Sequence, residues 1–176
     1  TILRRNKEYG LRKFIILVPS VAIREGVLKT IQQTREHFRD LYNTGFGYCA
    51  YDSDKLSQVR DFVQSNDVQI MIMTIQSFNK DTTVMRQNDR DDTYGQISYL
   101  DMVAQTRPVV IMDEPQNMES ELAQVSISDL NPLFKLRYSA THKNIHNLVY
   151  RLTPVDAYRK NLVKKISVYG VKEHNP

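Results

Sequence analysis

Only one cysteine, Cys49, stands among the 176 residues, so no intrachain disulfide and no multi-cysteine zinc site can be built. A reducing, cytoplasmic setting is the expectation. Long hydrophobic runs are missing too: no apolar stretch approaches the ~20 residues that a membrane-spanning helix needs. The start, Thr1-Ile2-Leu3-Arg4-Arg5, has neither an initiator Met nor a signal-peptide core. The chain is therefore expected to be soluble, to have no membrane role and to be a fragment. Internal repeats and low-complexity segments are absent. So is the phosphate-loop pattern G-x-x-x-x-G-K-S/T. Gly26-Val27-Leu28-Lys29-Thr30 imitates its end, but it lacks the second Gly before Lys and falls inside a predicted helix.

What is present fits one globular domain. A hydrophobic content of 41% and a charged content of 25% exclude disorder along the whole chain and leave little room for a second full domain. The net charge of +4 conceals an asymmetry. Residues 1–134 hold 15 Lys/Arg against 18 Asp/Glu, whereas residues 135–176 hold 9 against 2. Such a tail can meet phosphates, an acidic neighbouring domain or simply water.

Short apolar runs separated by helical patterns indicate alternating strands and helices around a largely parallel sheet. Phe14-Ile15-Ile16-Leu17-Val18 reads as a strand buried on both faces, with Pro19-Ser20 ending it where a helix over 22–42 begins. In that helix Val27, Ile31, Thr34, Phe38 and Leu41 share a face. Tyr48-Cys49-Ala50-Tyr51 is a weaker strand. Ser53-Asp54 offers N-cap chemistry for a helix burying Leu56, Val59, Phe62 and Val63. Residues 69–74 form the next strand, 79–93 an exposed loop or insertion, and Leu100–Gln105 the end of a helix. Strands follow over 108–115 and 133–138. Beyond them, 148–152 and 165–169 read as strands flanking a short helix near 154–162.

Asp113-Glu114 is the sharpest chemical feature. Adjacent carboxylates at the end of a hydrophobic strand provide one group to hold a divalent cation and one to orient water, the two tasks of phosphoryl transfer. From the dipeptide alone, a loop start with Asp capping the next helix reads about as well. His142 and His146 have i,i+4 spacing, but Lys143 breaks the H-E-x-x-H pattern and a zinc role is not expected. Tyr138, Tyr150 and Tyr158 have apolar neighbours that favour packing over base stacking.

The order of several motifs changes the odds. Leu17-Val18-Pro19-Ser20-Val21-Ala22-Ile23-Arg24 resembles motif Ia of superfamily 2 helicases and translocases, Thr74-Ile75-Gln76-Ser77-Phe78 motif Ib, Asp113-Glu114-Pro115-Gln116 motif II and Ser139-Ala140-Thr141-His142 motif III. Within that superfamily the wording is most similar to the restriction (Res) subunit of type III restriction-modification enzymes. Gln116-Asn117-Met118-Glu119, the Arg137-Tyr138 that precedes motif III, and the tail from Val149 to Ile166 carry that likeness, which runs from about Phe14 to Val168.

The resemblance implies an α/β, RecA-like, P-loop NTPase-type fold with a largely parallel sheet and flanking helices. That fold would be incomplete, with its first strand and phosphate loop missing. Residues 1–146 would be a partial first motor domain, and 147–176 a linker toward a second motor domain. By the same likeness Asp113 would hold Mg²⁺ through water and Glu114 would be the general base in ATP hydrolysis. Gln116 and His142 would link the nucleotide site to motif III, and Ser139 and Thr141 would couple hydrolysis to domain movement. Ser20, Arg24, Thr74, Gln76 and Ser77 would face DNA, where hydroxyl, amide and guanidinium groups suit backbone phosphates rather than bases. Arg24 could equally be a helix residue paired with Glu25 or Glu36.

ATP, Mg²⁺, DNA and a methyltransferase (modification) subunit are thus the implied cofactors and partners. The parent would be a DNA-dependent ATPase and restriction endonuclease subunit, and this polypeptide alone is expected not to turn over ATP. Two rivals stand beside this reading: the motor of another superfamily 2 enzyme, such as a type I restriction or repair helicase, and a non-catalytic DNA- or protein-binding module. The acid pair argues against the second, because a domain freed from hydrolysis has no chemical need of both carboxylates.

Overall fold

Phe14-Ile15-Ile16-Leu17-Val18 forms the middle of the sheet. In the computed structural model, which describes residues 1–88, 96–140 and 144–164, these residues belong to β1 (Lys13–Val18), the central strand of a five-stranded sheet. Its partners are β2 (Phe46–Ala50), β3 (Val68–Thr74), β4 (Val109–Asp113) and β5 (Phe134–Tyr138), in the order β2-β3-β1-β4-β5. All four pairings are parallel, with Phe14 opposite both Ile70 and Val109. Central strands of such a sheet are covered on both faces, which is why β1, β3 and β4 read as near-continuous aliphatic runs.

Two apolar layers result. On one face Ile15, Leu17, Met71, Met73, Val110 and Met112 meet α3 (Ser57–Gln64), α4 (Tyr99–Gln105) and α5 (Glu121–Asp129). On the other, Phe14, Val18, Ile70, Ile72 and Val109 meet α1 (Ile2–Tyr9) and α2 (Val21–Tyr42). Phe14 and Phe62 are almost wholly buried, and each stabilises the fold by roughly 1.5–3 kcal/mol. A five-stranded parallel sheet with helices on both faces agrees with the RecA-like α/β reading of the sequence.

Several expectations are corrected. α2 contains no fully buried residue: Val27, Leu28 and Ile31 pack partly against the sheet, while Phe38 and Leu41 are exposed. Ser53-Asp54 does not cap α3, because the Asp52 carboxylate accepts the Asp54 N–H in a local turn and the helix begins after Leu56 without a side-chain cap. Leu100–Gln105 is most of a complete helix, α4, whose start is set by Ser98 accepting the Asp101 N–H at 3.0 Å. The polar stretch after Asn79 is not wholly exposed, since Met85 sits fully buried in a 3₁₀ turn over Val84–Arg86. Both α1 and α5 went unrecognised in the sequence. Residues 148–152 form no strand, and the strand expected over 165–169 lies outside the described residues.

The chain divides into two compact units, Thr1–Lys143 and Asn144–Pro176. In the second, Pro154–Arg159 forms the short helix α6. The Thr153 hydroxyl accepts the Asp156 N–H, and the Asp156 carboxylate accepts the Thr153 N–H, a reciprocal capping box. Tyr150 lies under the Lys160 ammonium, 5.6 Å from the ring centroid, and both Tyr150 and Tyr158 are exposed rather than packed. Among the described residues no helix is long and apolar enough to cross a membrane.

Candidate functional site

Parallel strands deliver all their C-terminal ends to one edge of the sheet, where ligands of open α/β folds bind. Here that edge carries, in spatial order, Thr74 at the end of β3, Ser20 after β1, Asp113-Glu114 at the end of β4 and Ser139 after β5. Strand order therefore sorts the motif residues: the hydroxyl and amide set lies on the β3–β1 side, the acids and Ser139 on the β4–β5 side.

Asp113 is the last residue of β4 and pairs in register with Tyr138. It is half-buried, and its carboxylate makes no hydrogen bond or ion pair with the described residues. Glu114 continues the ladder by one bond, donating its N–H to the Tyr138 carbonyl at 3.0 Å. The chain then turns sharply. Glu114 adopts φ 51°, a left-handed conformation that costs a non-glycine residue about 1 kcal/mol or more, and Pro115 opens a 3₁₀ turn through Met118. Pro115 and Met118 are buried and anchor that turn.

Glu114, Gln116 and Ser139 form a closed triangle. The Gln116 Nε2 amide donates to Glu114 Oε2. Ser139 Oγ lies 3.0 Å from the same carboxylate oxygen and 2.9 Å from Gln116 Oε1. A hydroxyl has one proton, so Ser139 donates to one of these acceptors at a time. A half-buried ion pair ties the end of the 3₁₀ turn to β5: Arg137 Nη2 lies 2.7 Å from Glu119 Oε1, while Arg137 Nε is buried without a partner among the described residues. Neither Arg137 nor Glu119 had been given a role from sequence. The usable signal was a basic residue two positions before Ser139 and an acid five positions after Glu114.

On the other side, Ser20 caps α2 by accepting the Ile23 N–H at 3.3 Å and is exposed. Arg24 is held in place, donating to the Tyr51 carbonyl at 2.9 Å and pairing with Glu25 at 3.0 Å. Thr74 is buried, and its hydroxyl lies 3.2 Å from that of Ser77, so it shapes the 3₁₀ turn over Ile75–Ser77. Gln76 is exposed and Ser77 half-exposed on that turn. Thr141 and His142 lie outside the described residues; His146 is exposed.

A divalent cation fits Asp113 in one respect. Mg²⁺ prefers oxygen ligands, keeps several waters and uses few carboxylates, and an uncommitted half-buried carboxylate meets that requirement. Among the described residues no group of three His, Cys, Asp or Glu gathers into an all-protein metal cage.

Residues 1–144 match the family described as type III restriction enzyme, res subunit. The Res subunit of the type III restriction-modification enzyme EcoPI from Escherichia phage P1 is 29% identical over 188 residues, covering 94% of this chain and 19% of that protein. For the EcoP15I Res subunit of Escherichia coli the values are 30% over 187 residues, 94% and 19%. For the StyLTI Res subunit of Salmonella typhimurium they are 28% over 201 residues, 93% and 20%. The chain thus spans about a fifth of the length of these relatives.

Proposed function

Because the chain belongs to the family of type III restriction enzyme Res subunits, we propose that it is part of the ATP-dependent DNA motor of such an enzyme. In this reading residues 1–146 are a partial first RecA-like motor domain and 147–176 lead toward a second. Hydrolysis in the complete parent drives movement or signalling along DNA before cleavage. The single observation that carries the reading is the triangle of Glu114, Gln116 and Ser139 beside the uncommitted Asp113.

Each residue then has a task. Asp113 would hold Mg²⁺ through water. A bound Mg²⁺ supplies neutralisation of charge on the phosphate oxygens. Glu114, aimed by its left-handed backbone and by the Gln116 and Ser139 bonds, takes the proton from the attacking water. When Glu114 gains that proton it accepts hydrogen bonds less well, and the Ser139 proton turns to Gln116. Motif III thereby feels the state of the acid across the β4–β5 junction. Thr141 and His142 are proposed to carry that signal onward.

DNA follows the neighbouring half of the edge, where Ser20, Arg24, Gln76 and Ser77 meet phosphates; Thr74, expected at the DNA from the sequence but buried, supports the turn that carries Gln76 and Ser77. Such contacts are independent of base sequence. The methyltransferase (modification) subunit is the proposed protein partner, and the setting is cytoplasmic. No phosphate-loop pattern occurs in these 176 residues, so turnover is proposed for the complete parent and not for this polypeptide alone. The test is ATP hydrolysis by the complete protein with and without DNA. DNA-stimulated turnover is expected; a complete parent that hydrolyses no ATP under either condition overturns the proposal.

A further inference from the structure

The edge of the sheet opposite the motif residues holds a cleft of about 510 Å³ that the proposed motor chemistry does not use. Arg12, Lys13 and Arg107 line it together with Leu11, Val63 and Leu133. Strand register explains why the cations meet. The β1–β4 ladder starts at Phe14 and Val109, so Arg12 and Arg107, which lie just before these strands, both come to the same end of the sheet and line the one cleft. Both arginines are exposed, and neither guanidinium pairs with the described residues.

Lys13 differs: its ammonium donates to the Phe62 carbonyl and, at 2.6 Å, to that of Ser65, closing the C-terminal end of α3. Burial, and after it the charge of Arg12, lower its pKa, while Asp67 acts in the opposite direction. Three cations thus crowd one concavity. The backbone adds a second observation. Arg107 adopts φ 46° immediately before Pro108, where a non-glycine residue strongly prefers an extended conformation. Two like charges in one cleft, one of them on strained backbone, form an arrangement that a matching pair of carboxylates would stabilise.

We propose that this cleft docks an acidic segment of a protein partner. Carboxylates of the segment would engage Arg12 and Arg107, and an aliphatic side chain would lie against Leu11, Val63 and Leu133. The aliphatic share of the lining favours a peptide over nucleic acid, whose backbone offers phosphates and no apolar group to bury. Five or six residues of strand, at ~3.3 Å each, separate the two edges, so an occupant leaves Asp113 and Glu114 accessible. The proposal is independent of whether the parent hydrolyses ATP.

The test titrates the 176-residue chain with a capped fluorescent hexapeptide of alternating glutamate and leucine, read by anisotropy. An all-glutamate hexapeptide, a lysine–leucine hexapeptide and a short DNA duplex serve as comparisons. The glutamate–leucine peptide is expected to bind several-fold more tightly than the all-glutamate one, and the lysine–leucine peptide not to bind. Arg12→Glu and Arg107→Glu should each weaken binding at least tenfold. Arg107→Gly removes the charge while freeing the backbone, so it should raise the melting temperature and still weaken binding, which separates a binding role from a folding role.

Undiminished binding by both charge-reversal variants overturns the proposal, and so does equal binding of the lysine–leucine peptide. All-glutamate binding as tight as that of the glutamate–leucine peptide removes the apolar half of the site and overturns it as well. If duplex DNA displaces the peptide and itself loses affinity on Arg12→Glu and Arg107→Glu, the cleft is a phosphate contact and the proposal fails.

Discussion

Ser139 Oγ stands 3.0 Å from Glu114 Oε2, joining residues 25 positions apart across the junction of β4 and β5. The same hydroxyl stands 2.9 Å from Gln116 Oε1, so its single proton has both the acid and the amide within reach, and the proposed coupling rests on which of them takes it. Removing it should slow turnover more than it weakens nucleotide binding. In the complete parent, Ser139→Ala is expected to lower kcat about five- to tenfold, the value of one net hydrogen bond of ~1 kcal/mol, with KM little changed. Ser139→Thr, which keeps the hydroxyl, should restore most of the rate. A kcat unchanged in Ser139→Ala removes the coupling role.

Asp113→Asn and Glu114→Gln are nearly isosteric, so they change charge and proton affinity while leaving the ends of β4 and the 3₁₀ turn in place. Each is expected to abolish ATP turnover in the complete parent, while nucleotide binding stays measurable by equilibrium titration. For Glu114→Gln the expected loss is at least about a hundredfold, the usual worth of a general base. Hydrolysis at the parental rate by both variants would sink the motor assignment.

Arg24 is pinned by the Tyr51 carbonyl and by Glu25, with its side chain only 21% exposed. A guanidinium held this way meets a phosphate with little further loss of rotamer freedom. Arg24→Ala in the complete parent should weaken binding of unrelated duplexes by similar factors and reduce the salt slope of log K by about one unit. Loss confined to one sequence contradicts a backbone contact.

The parts of the fold legible in the sequence are those where burial is two-sided. β1, β3 and β4 are covered by helices on both faces, so nearly every residue is aliphatic and their ends are marked by Ser20, Thr74 and Asp113. α5 escaped notice because its buried face is Ala123, Ser126 and Ile127, small residues that leave little hydrophobic period. α1 buries Leu3 alone. The opposite error occurred over Leu148–Leu152, an apolar run that pairs with no strand and lies exposed. At the site, Asp113 and Glu114 stood out as a local pattern. The Arg137–Glu119 ion pair and the gathering of Arg12 and Arg107 in one cleft join segments distant in the chain, which no local spacing encodes.

Tyr51, just after β2, is 6% exposed, and its hydroxyl has no hydrogen-bond partner among the described residues. An orphaned buried hydroxyl costs about 1–3 kcal/mol, so Tyr51→Phe, which keeps the ring, should stabilise the chain by about 1 kcal/mol at pH 7. Burial also pushes the Tyr51 phenol up from 10.0 to about 12, and the Cys49 thiol up from 9.0 to about 11. In both cases the folded state holds its proton more tightly than the unfolded state. That contribution is complete below the unfolded pKa and disappears as pH rises through the folded one. The wild-type chain should therefore lose stability over about pH 9–11 through Cys49 and over about pH 10–12 through Tyr51. Tyr51→Phe should keep only the first of these losses. Urea midpoints at pH 7 and pH 11 test this: the variant's advantage should widen at the higher pH, and a constant or shrinking advantage contradicts the assignment of the alkaline loss to Tyr51.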